Sequence, residues 1–236
     1  MTDRAGSVVP AEVARFDALA ARWWDPHGPM RPLHAMNPAR ISWIATRIAA
    51  RHGADAAVLD VGCGAGLAAE ALARLGHRVL GIDAAGAALA AAEAHADGQN
   101  LPLGYRATSA EALADAGARF AVVTALEVIE HVADPAAFIR TLGMLLEPGG
   151  TLFVSTLNRT TRALLTAKLG AEYVLRLLPA GTHDWRRFVT PAELAAHARA
   201  AGLRLADIAG LVPDPLRGGW RSGHDTGVNY IAMAVS

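Results

Sequence analysis

The sequence predicts an α/β protein built on a doubly wound, mostly parallel sheet of seven strands, with an N-terminal helical cap and an antiparallel hairpin at the C-terminal edge. Three observations carry this. Short apolar runs alternate with helix-period segments from Ala56 to Leu157, the pattern of strands joined by crossover helices. A glycine-rich turn follows the first of these runs. Two further apolar runs, "LRLADIAGLV" and "VNYIAMAV", close the chain and are long enough to pair with each other.

Each element has its own signal. In "AEVARFDALAARWWDP", Val13, Phe16, Leu19 and Trp23 recur at helical spacing until Asp25-Pro26 ends the run. "NPARISWIATRIAARHG" reads as a second helix, with Asn37 as N-cap, Pro38 at its first position and Gly53 as its stop. "AAVLDVG", "RVLGID", "LGYRAT", "FAVVTAL" and "TLFVSTL" are strands; "GLAAEALARLG", "AAGAALAAAEAHA", "SAEALADAG" and "DPAAFIRTLGMLLEPGG" are the helices between them, the last closed by Gly149. "TPAELAAHARAAG" is a helix opened by a capping box, Thr190 to Glu193, with Pro191 at its first position. The expected division is a helical cap at 1–54, a binding core at 55–158, an insertion at 159–188 that serves as lid or membrane-surface segment, and completion of the sheet by 189–236.

Composition narrows the function. Lysine plus arginine and aspartate plus glutamate number 22 each, so no basic field marks nucleic acid as a partner. A single cysteine, Cys63, removes an intrachain disulfide and a paired-cysteine zinc site, and fits a cytoplasmic setting. The N-terminus lacks the apolar stretch of a signal peptide, and no uncharged apolar run is long enough to span a bilayer.

The stretch "VLDVGCGAGLAAE" is the most informative. Gly62, Gly64 and Gly66 lie between strand and helix, where absent side chains let backbone N–H groups approach a ligand. A dinucleotide turn needs G-x-G-x-x-G, but Leu67 stands in the last position and the pattern is D-x-G-x-G-x-G. The acid of that pattern, Asp60, is misplaced beside a pyrophosphate and suits a cationic amine, such as the methionyl end of S-adenosylmethionine. Asp83 ends the second strand, where a carboxylate can accept from two ribose hydroxyls. Ser109 and Ala110, after the third strand, are placed to meet an adenine edge through their backbone. Cys63 reads as a small filler in the turn.

At this point the chain resembles the class I S-adenosylmethionine-dependent methyltransferases, whose fold is Rossmann-like. More closely it resembles the ubiquinone-biosynthesis O-methyltransferase family. "RWWDPHGPMRPLHAMNPARISWI", "LDVGCGAG", "EVIEHVADP", "STLNRTTRALLTAKLGAEYVL", "PAGTHDWRRFVTPAEL" and the final "NYIAMA" carry the likeness from Arg22 to Ala234. Ala65 departs from it, standing where that family usually has glycine. The resemblance implies methylation of phenolic hydroxyls on polyprenylated catechol and quinol intermediates, at both O-methylation steps. It implies that Arg40 meets the cofactor's carboxylate, Gly62 forms the turn, Asp83 holds the ribose and Leu126 meets the cofactor through its backbone. A complex of ubiquinone-biosynthesis proteins is the expected protein partner. Another small phenol or amine is the alternative substrate.

The stretch "TALEVIEHVADP" places Glu127, Glu130 and His131 as E-x-x-E-H after the fourth strand, at the carboxyl edge where doubly wound sheets bind ligands. If they open a helix they share one face. Two readings stand open: a loosely held Mg²⁺ on all three, or acid–base and orienting chemistry on the methyl acceptor without metal. The resemblance implies a divalent ion. "RALLTAKLGAEYVLRLL" sets leucines and aromatic residues among Arg162, Lys168 and Arg176, as a helix lying on an anionic membrane surface would. The expected location is therefore the cytoplasm, peripheral on the inner face of the membrane. "GTHDWRRF" is expected to close over the site with His183 and Trp185 near the acceptor ring, and His34 is a further candidate.

Overall fold

In the computed structural model, which describes residues 6–168, 185–216 and 218–236, one eight-stranded sheet runs in the order β3-β2-β1-β4-β5-β8-β6-β7. The strands are β1 Ala57–Val61, β2 Arg78–Asp83, β3 Leu103–Ala107, β4 Phe120–Leu126, β5 Leu146–Leu157, β6 Arg204–Pro213, β7 Trp220–Gly223 and β8 Asn229–Val235. Neighbours from β3 to β5 are parallel, whereas β8, β6 and β7 join antiparallel.

Strand residues alternate between two apolar layers. Leu59, Val61, Val123, Leu152 and Val154 face one, where helices α5 (Ala110–Asp115), α6 (Pro135–Met144) and α8 (Pro191–Ala200) supply Leu113, Phe138, Leu142 and Leu194. Val58, Val122, Phe153 and Ile231 face the other, under α2 (Arg31–His52) and α3 (Leu67–Arg74), which supply Ile44, Ile48 and Leu72. Burial on both faces is why these strands read as continuous apolar runs. Each such side chain contributes about 1.5–3 kcal/mol by leaving water. Helices α1 (Pro10–Asp17) and α4 (Gly86–Ala96) lie at the other end of the turn after β1, where Val13, Phe16 and Trp23 pack with Ala85 and Ala88. Helix α7 is Thr161–Lys168.

Several expectations change. The eighth strand, β7, is short and lies at the sheet edge, so the two closing apolar runs do pair, but β8 threads between β5 and β6. Helix α2 begins at Arg31, with Pro32 in its first turn and Pro38 inside it. Asn37 is therefore not a cap; its Nδ2 donates to the Leu67 carbonyl (2.9 Å), pinning α2 to α3. Gly149 does not stop a helix. α6 ends at Met144, and Gly149 sits in the early part of β5, where the pairing with β4 jumps from Phe120↔Leu146 to Val122↔Thr151. The Thr190–Glu193 capping box forms as expected.

The order β3-β2-β1-β4-β5 places the reversal of strand order between β1 and β4. A crevice opens there at the carboxyl ends of the strands, and both sequence motifs fall at it.

Candidate functional site

A cavity of about 520 Å³ occupies this crevice, roofed by α1 and the segment after it. Arg40, Asp60, Gly62, Gly64, Asp83, Ser109, Ala110, Leu126, Glu127, Glu130 and His131 all line it; of the described residues singled out for the site, Gly66, His34 and Trp185 do not.

The glycine turn is built for packing. Gly64 and Gly66 hold positive φ, 54° and 86°; a Cβ at the first would overlap the Trp23 ring and at the second the Tyr105 hydroxyl. Four of its N–H groups are committed internally. Those of Gly62 and Cys63 donate to the Ile82 carbonyl (2.8 and 3.1 Å), that of Gly64 to Asp83 Oδ2 (2.7 Å) and that of Gly66 to Cys63 (2.9 Å). The turn is thus a rigid bracket for Asp83 and not an open cradle of donors. Ala85 N–H holds the other carboxylate oxygen at 2.8 Å, and each oxygen keeps lone-pair capacity for a hydroxyl. Burial pushes the Asp83 carboxyl above the ordinary range. Burial also pushes the Cys63 thiol well up, which leaves it an inert filler.

Beneath the turn lies a buried charge cluster. Arg40 is 3% exposed. Its Nη2 donates to Asn37 Oδ1 (3.1 Å), its Nη1 lies 3.8 Å from Glu127 Oε1, and its Nε has no partner. Asp60 is 2% exposed. Thr124 Oγ1 donates to its Oδ1 at 2.6 Å, its Oδ2 has no partner, and burial raises its carboxyl to about 6. An orphaned donor and an orphaned acceptor in one cavity fit a ligand carrying both a carboxylate and a cationic amine.

Glu127 directly follows β4 with φ of 59°, an uncommon backbone for a side chain of this size. The surroundings hold it there: Ser155 Oγ donates to Oε1 (2.7 Å), Asn229 Nδ2 donates to both oxygens (3.3 and 3.1 Å), and its own N–H donates to the Ser155 carbonyl (2.9 Å). The following residues form a single tight turn, Ile129–His131, and not the first turn of an α-helix. Glu130 is 5% exposed; burial, with Glu127 beside it, lifts its carboxyl to about 8. His131 turns the other way, its Nδ1 3.0 Å from Glu12 Oε2, and burial lowers its basicity.

The expectation of three ligands on one helical face is therefore corrected. Glu127 is engaged by Arg40, Ser155 and Asn229; Glu130 holds a proton near neutrality; His131 faces α1. Among the described residues no three histidine, cysteine, aspartate or glutamate side chains gather as a metal site, and this arrangement of the trio does not fit Mg²⁺ as a shared ligand set.

Other candidates resolve differently. His34 Nε2 lies 2.7 Å from the Trp23 carbonyl and fastens the loop before α2. Trp185 Nε1 donates to the Thr160 carbonyl (3.2 Å) and is not a cavity residue. His183, Arg176 and the Lys168 side chain lie outside the described residues. Sequence reasoning missed the whole contribution of α1: Glu12, Val13 and Phe16 line the cavity, although their spacing carried only the signal of a core helix.

The chain has relatives among known proteins. A family model described as a methyltransferase domain matches residues 33–208. The chain is 50% identical to a ubiquinone biosynthesis O-methyltransferase of Azorhizobium caulinodans, over 96% of this chain and 93% of that one. A protein of the same description from Parvibaculum lavamentivorans is 48% identical, over 99% and 98%. The crystal structure of magnesium protoporphyrin IX methyltransferase from Synechocystis PCC 6803 with bound SAH is similar at a TM-score of 0.68 and 18% identity, over 95% of this chain and 99% of that one, a likeness of fold. Fold and site together define a methyltransferase. Within that class, the chain belongs to the ubiquinone biosynthesis O-methyltransferase family.

Proposed function

We propose that the chain binds S-adenosylmethionine in the β1–β4 crevice and methylates phenolic hydroxyls of polyprenylated catechol and quinol intermediates of ubiquinone biosynthesis, at both O-methylation steps. The observation that carries this is near-full-length identity of 46–50% to relatives named ubiquinone biosynthesis O-methyltransferase. The bound sulfonium supplies an activated methyl group; the protein's part is alignment, exclusion of water and removal of the phenol's proton. Arg40 receives the cofactor's carboxylate, Asp60 its amine, Asp83 its ribose hydroxyls, and the Ser109–Ala110 backbone its adenine edge. Gly62 and the Leu126 backbone complete that wall, while Gly64 and Gly66 keep the turn in shape. Glu127, Glu130 and His131 face the acceptor, and His131, kept neutral by burial, takes the proton. Incubation with S-adenosylmethionine and a demethylated quinol should give a product heavier by one methylene, about 14 mass units; methylation of simple amines but not of the quinol would overturn the assignment.

We also propose that the 159–188 segment lies on an anionic membrane surface from which the prenylated substrate enters, in contact with other proteins of the same biosynthesis. Within α7, Leu165 is 54% exposed while Ala163 is buried, so the helix presents a leucine outward. Among the described residues no helix is long and apolar enough to cross a membrane. Leu165→Glu should lower co-sedimentation with anionic liposomes at least twofold and leave cofactor affinity unchanged. Equal co-sedimentation of the two proteins would remove α7 from that role.

A further inference from the structure

We infer that the arm of the cavity beyond Glu127, along the carboxyl edge of the sheet at β5, β8 and β7, binds the prenyl tail of the acceptor, with Val228 and Trp220 in its walls. This deepens the proposed reaction and rests on its acceptor class.

The sheet's topology divides the cavity in two. Gly62, Asp83 and Thr108 line it at the ends of β1, β2 and β3, the side matched to the cofactor. Glu127, just after β4, stands between the halves. On the far side, β8 and β7 run against the parallel strands, so they begin at the edge where β5 ends. Leu157 ends β5, Val228 immediately precedes β8 and Trp220 starts β7, and all three line the cavity. From β4 to β7 is four strand spacings, about 19 Å, a reach of several isoprene units in line.

The two halves also differ in chemistry. The charged side chains that line the cavity come from α1, α2, β1, β2 and the turn after β4. Among the described residues, none that β5, β8, β7 or α7 contributes carries a charge. Leu157, Val228 and Trp220 are half-buried, and Leu33 of α2, which packs on the same core cluster as Trp220, extends the apolar lining. Such a trough leaves a nucleoside's polar groups unpaired and suits hydrocarbon.

Asn229 marks the junction. It is 4% exposed and lines the cavity, and its Nδ2 donates to both Glu127 oxygens, which fixes the orientation of the amide. Its Oδ1 then has no partner among the described residues. A buried acceptor left open is costly unless a ligand fills it. The ring hydroxyl that keeps its proton can donate there, which sets the ring between Glu127 and β8 and its tail toward β7. The arm reaches α7, where Thr166 lines the cavity beside the exposed Leu165. Thr160 Oγ1 donates to the Gly227 carbonyl (2.6 Å) and Arg162 pairs with Asp225, so α7 is tied to the loop before β8. The arm therefore meets the helix proposed to face the membrane, the side from which a tail arrives.

The test is a binding ladder on the full chain loaded with S-adenosylhomocysteine, which has no methyl group to give. Demethylated quinols with no tail, or with one, two, four or eight isoprene units, are titrated calorimetrically in one detergent. Kd should fall about fivefold or more with each of the first two units and by less than about threefold from four units to eight. Val228→Phe, which fills the arm, should cut the gain to less than about twofold per unit. Trp220→Ala, which opens the far wall, should weaken the four-unit quinol about tenfold and the one-unit quinol less than about threefold. S-adenosylhomocysteine affinity within about twofold of the parent shows that each variant keeps the cofactor half. A parent ladder without slope, or one equally steep in both variants, would overturn the inference. Dodecanoate that displaces the four-unit quinol and binds as tightly would make the arm a site for lipid acyl chains and overturn it as well. An intact ladder without methylation in the assay above would overturn the proposed reaction and leave the groove standing.

Discussion

Arg40→Ala is expected to lose both cofactor affinity and fold stability. The guanidinium sits 3% exposed among Glu127, Asp60 and Glu130, and burial lowers its pKa while those three carboxyl groups raise it. Removing it leaves Glu127 and Asp60 inside the protein with no compensating cation. Breaking a buried pair in this way costs about 3–5 kcal/mol, which for a chain of this length is a fall in Tm of about 6–20 °C. The loss of affinity has a separate cause. Arg40 Nε has no partner, so a ligand carboxylate would gain a charge-assisted bond there, about 1.5–3 kcal/mol, or roughly ten- to a hundredfold in Kd. Differential scanning calorimetry without ligand and titration calorimetry with S-adenosylhomocysteine measure the two effects independently. Because Glu127 is the partner left behind, Arg40→Ala combined with Glu127→Gln should recover part of the Tm and none of the affinity. Unchanged Tm in Arg40→Ala would mean that water reaches the cluster, and unchanged affinity would remove Arg40 from the cofactor site.

The parts of this site legible in the sequence are those that local chemistry dictates. A strand, a turn needing positive φ at Gly64 and Gly66, and a helix can be read from one short stretch, because no residue with a side chain adopts those angles cheaply. The acids at Asp60 and Asp83 follow from the same logic, as does the Thr190–Glu193 box. What could not be read there is non-local. Asn37 has the look of a cap, yet Pro32 lets the helix start earlier and frees Asn37 to reach Leu67, 30 residues on. The spacing of Glu127, Glu130 and His131 promises one helical face. That promise fails because Glu127 is pulled into a left-handed backbone by Ser155, 28 residues away, and Asn229, 102 away. The strand β7, the four residues from Trp220 to Gly223 with Arg221 and Ser222 exposed, has no periodicity to announce it. Helix α1 was legible as a helix but not as part of the site, because an apolar stripe looks the same whether it covers a core or a cavity.

The protonation of Glu130 is the other consequence with a large expected effect, and its sign follows from linkage. Burial and the neighbouring Glu127 raise its carboxyl from an ordinary 4.5 to about 8. Between those values the folded protein keeps a proton that the unfolded chain has released. The unfolded state therefore binds fewer protons, and stability falls as pH rises through this window, levelling off above pH 8. Glu130→Gln removes the ionisation while keeping nearly the same shape, so it escapes the penalty. At pH 4.5 the variant and the parent should melt within about 2 °C of each other, the parent's carboxyl being protonated in the folded state and half protonated in the unfolded chain. At pH 8.5 the variant should be more stable by at least about 1 kcal/mol, or about 2–4 °C in Tm. Taking the difference between the two proteins at each pH cancels every other titrating group. Glu127→Gln should act in the same direction on the parent's pH dependence, since it removes the charge that helps hold the Glu130 proton. A difference in Tm that stays constant from pH 4.5 to 8.5 would show that Glu130 is ionised throughout. In that event Arg40 would have to be neutralising both glutamates at once, and the carboxylate pair, not a lone Glu127, would be its partner.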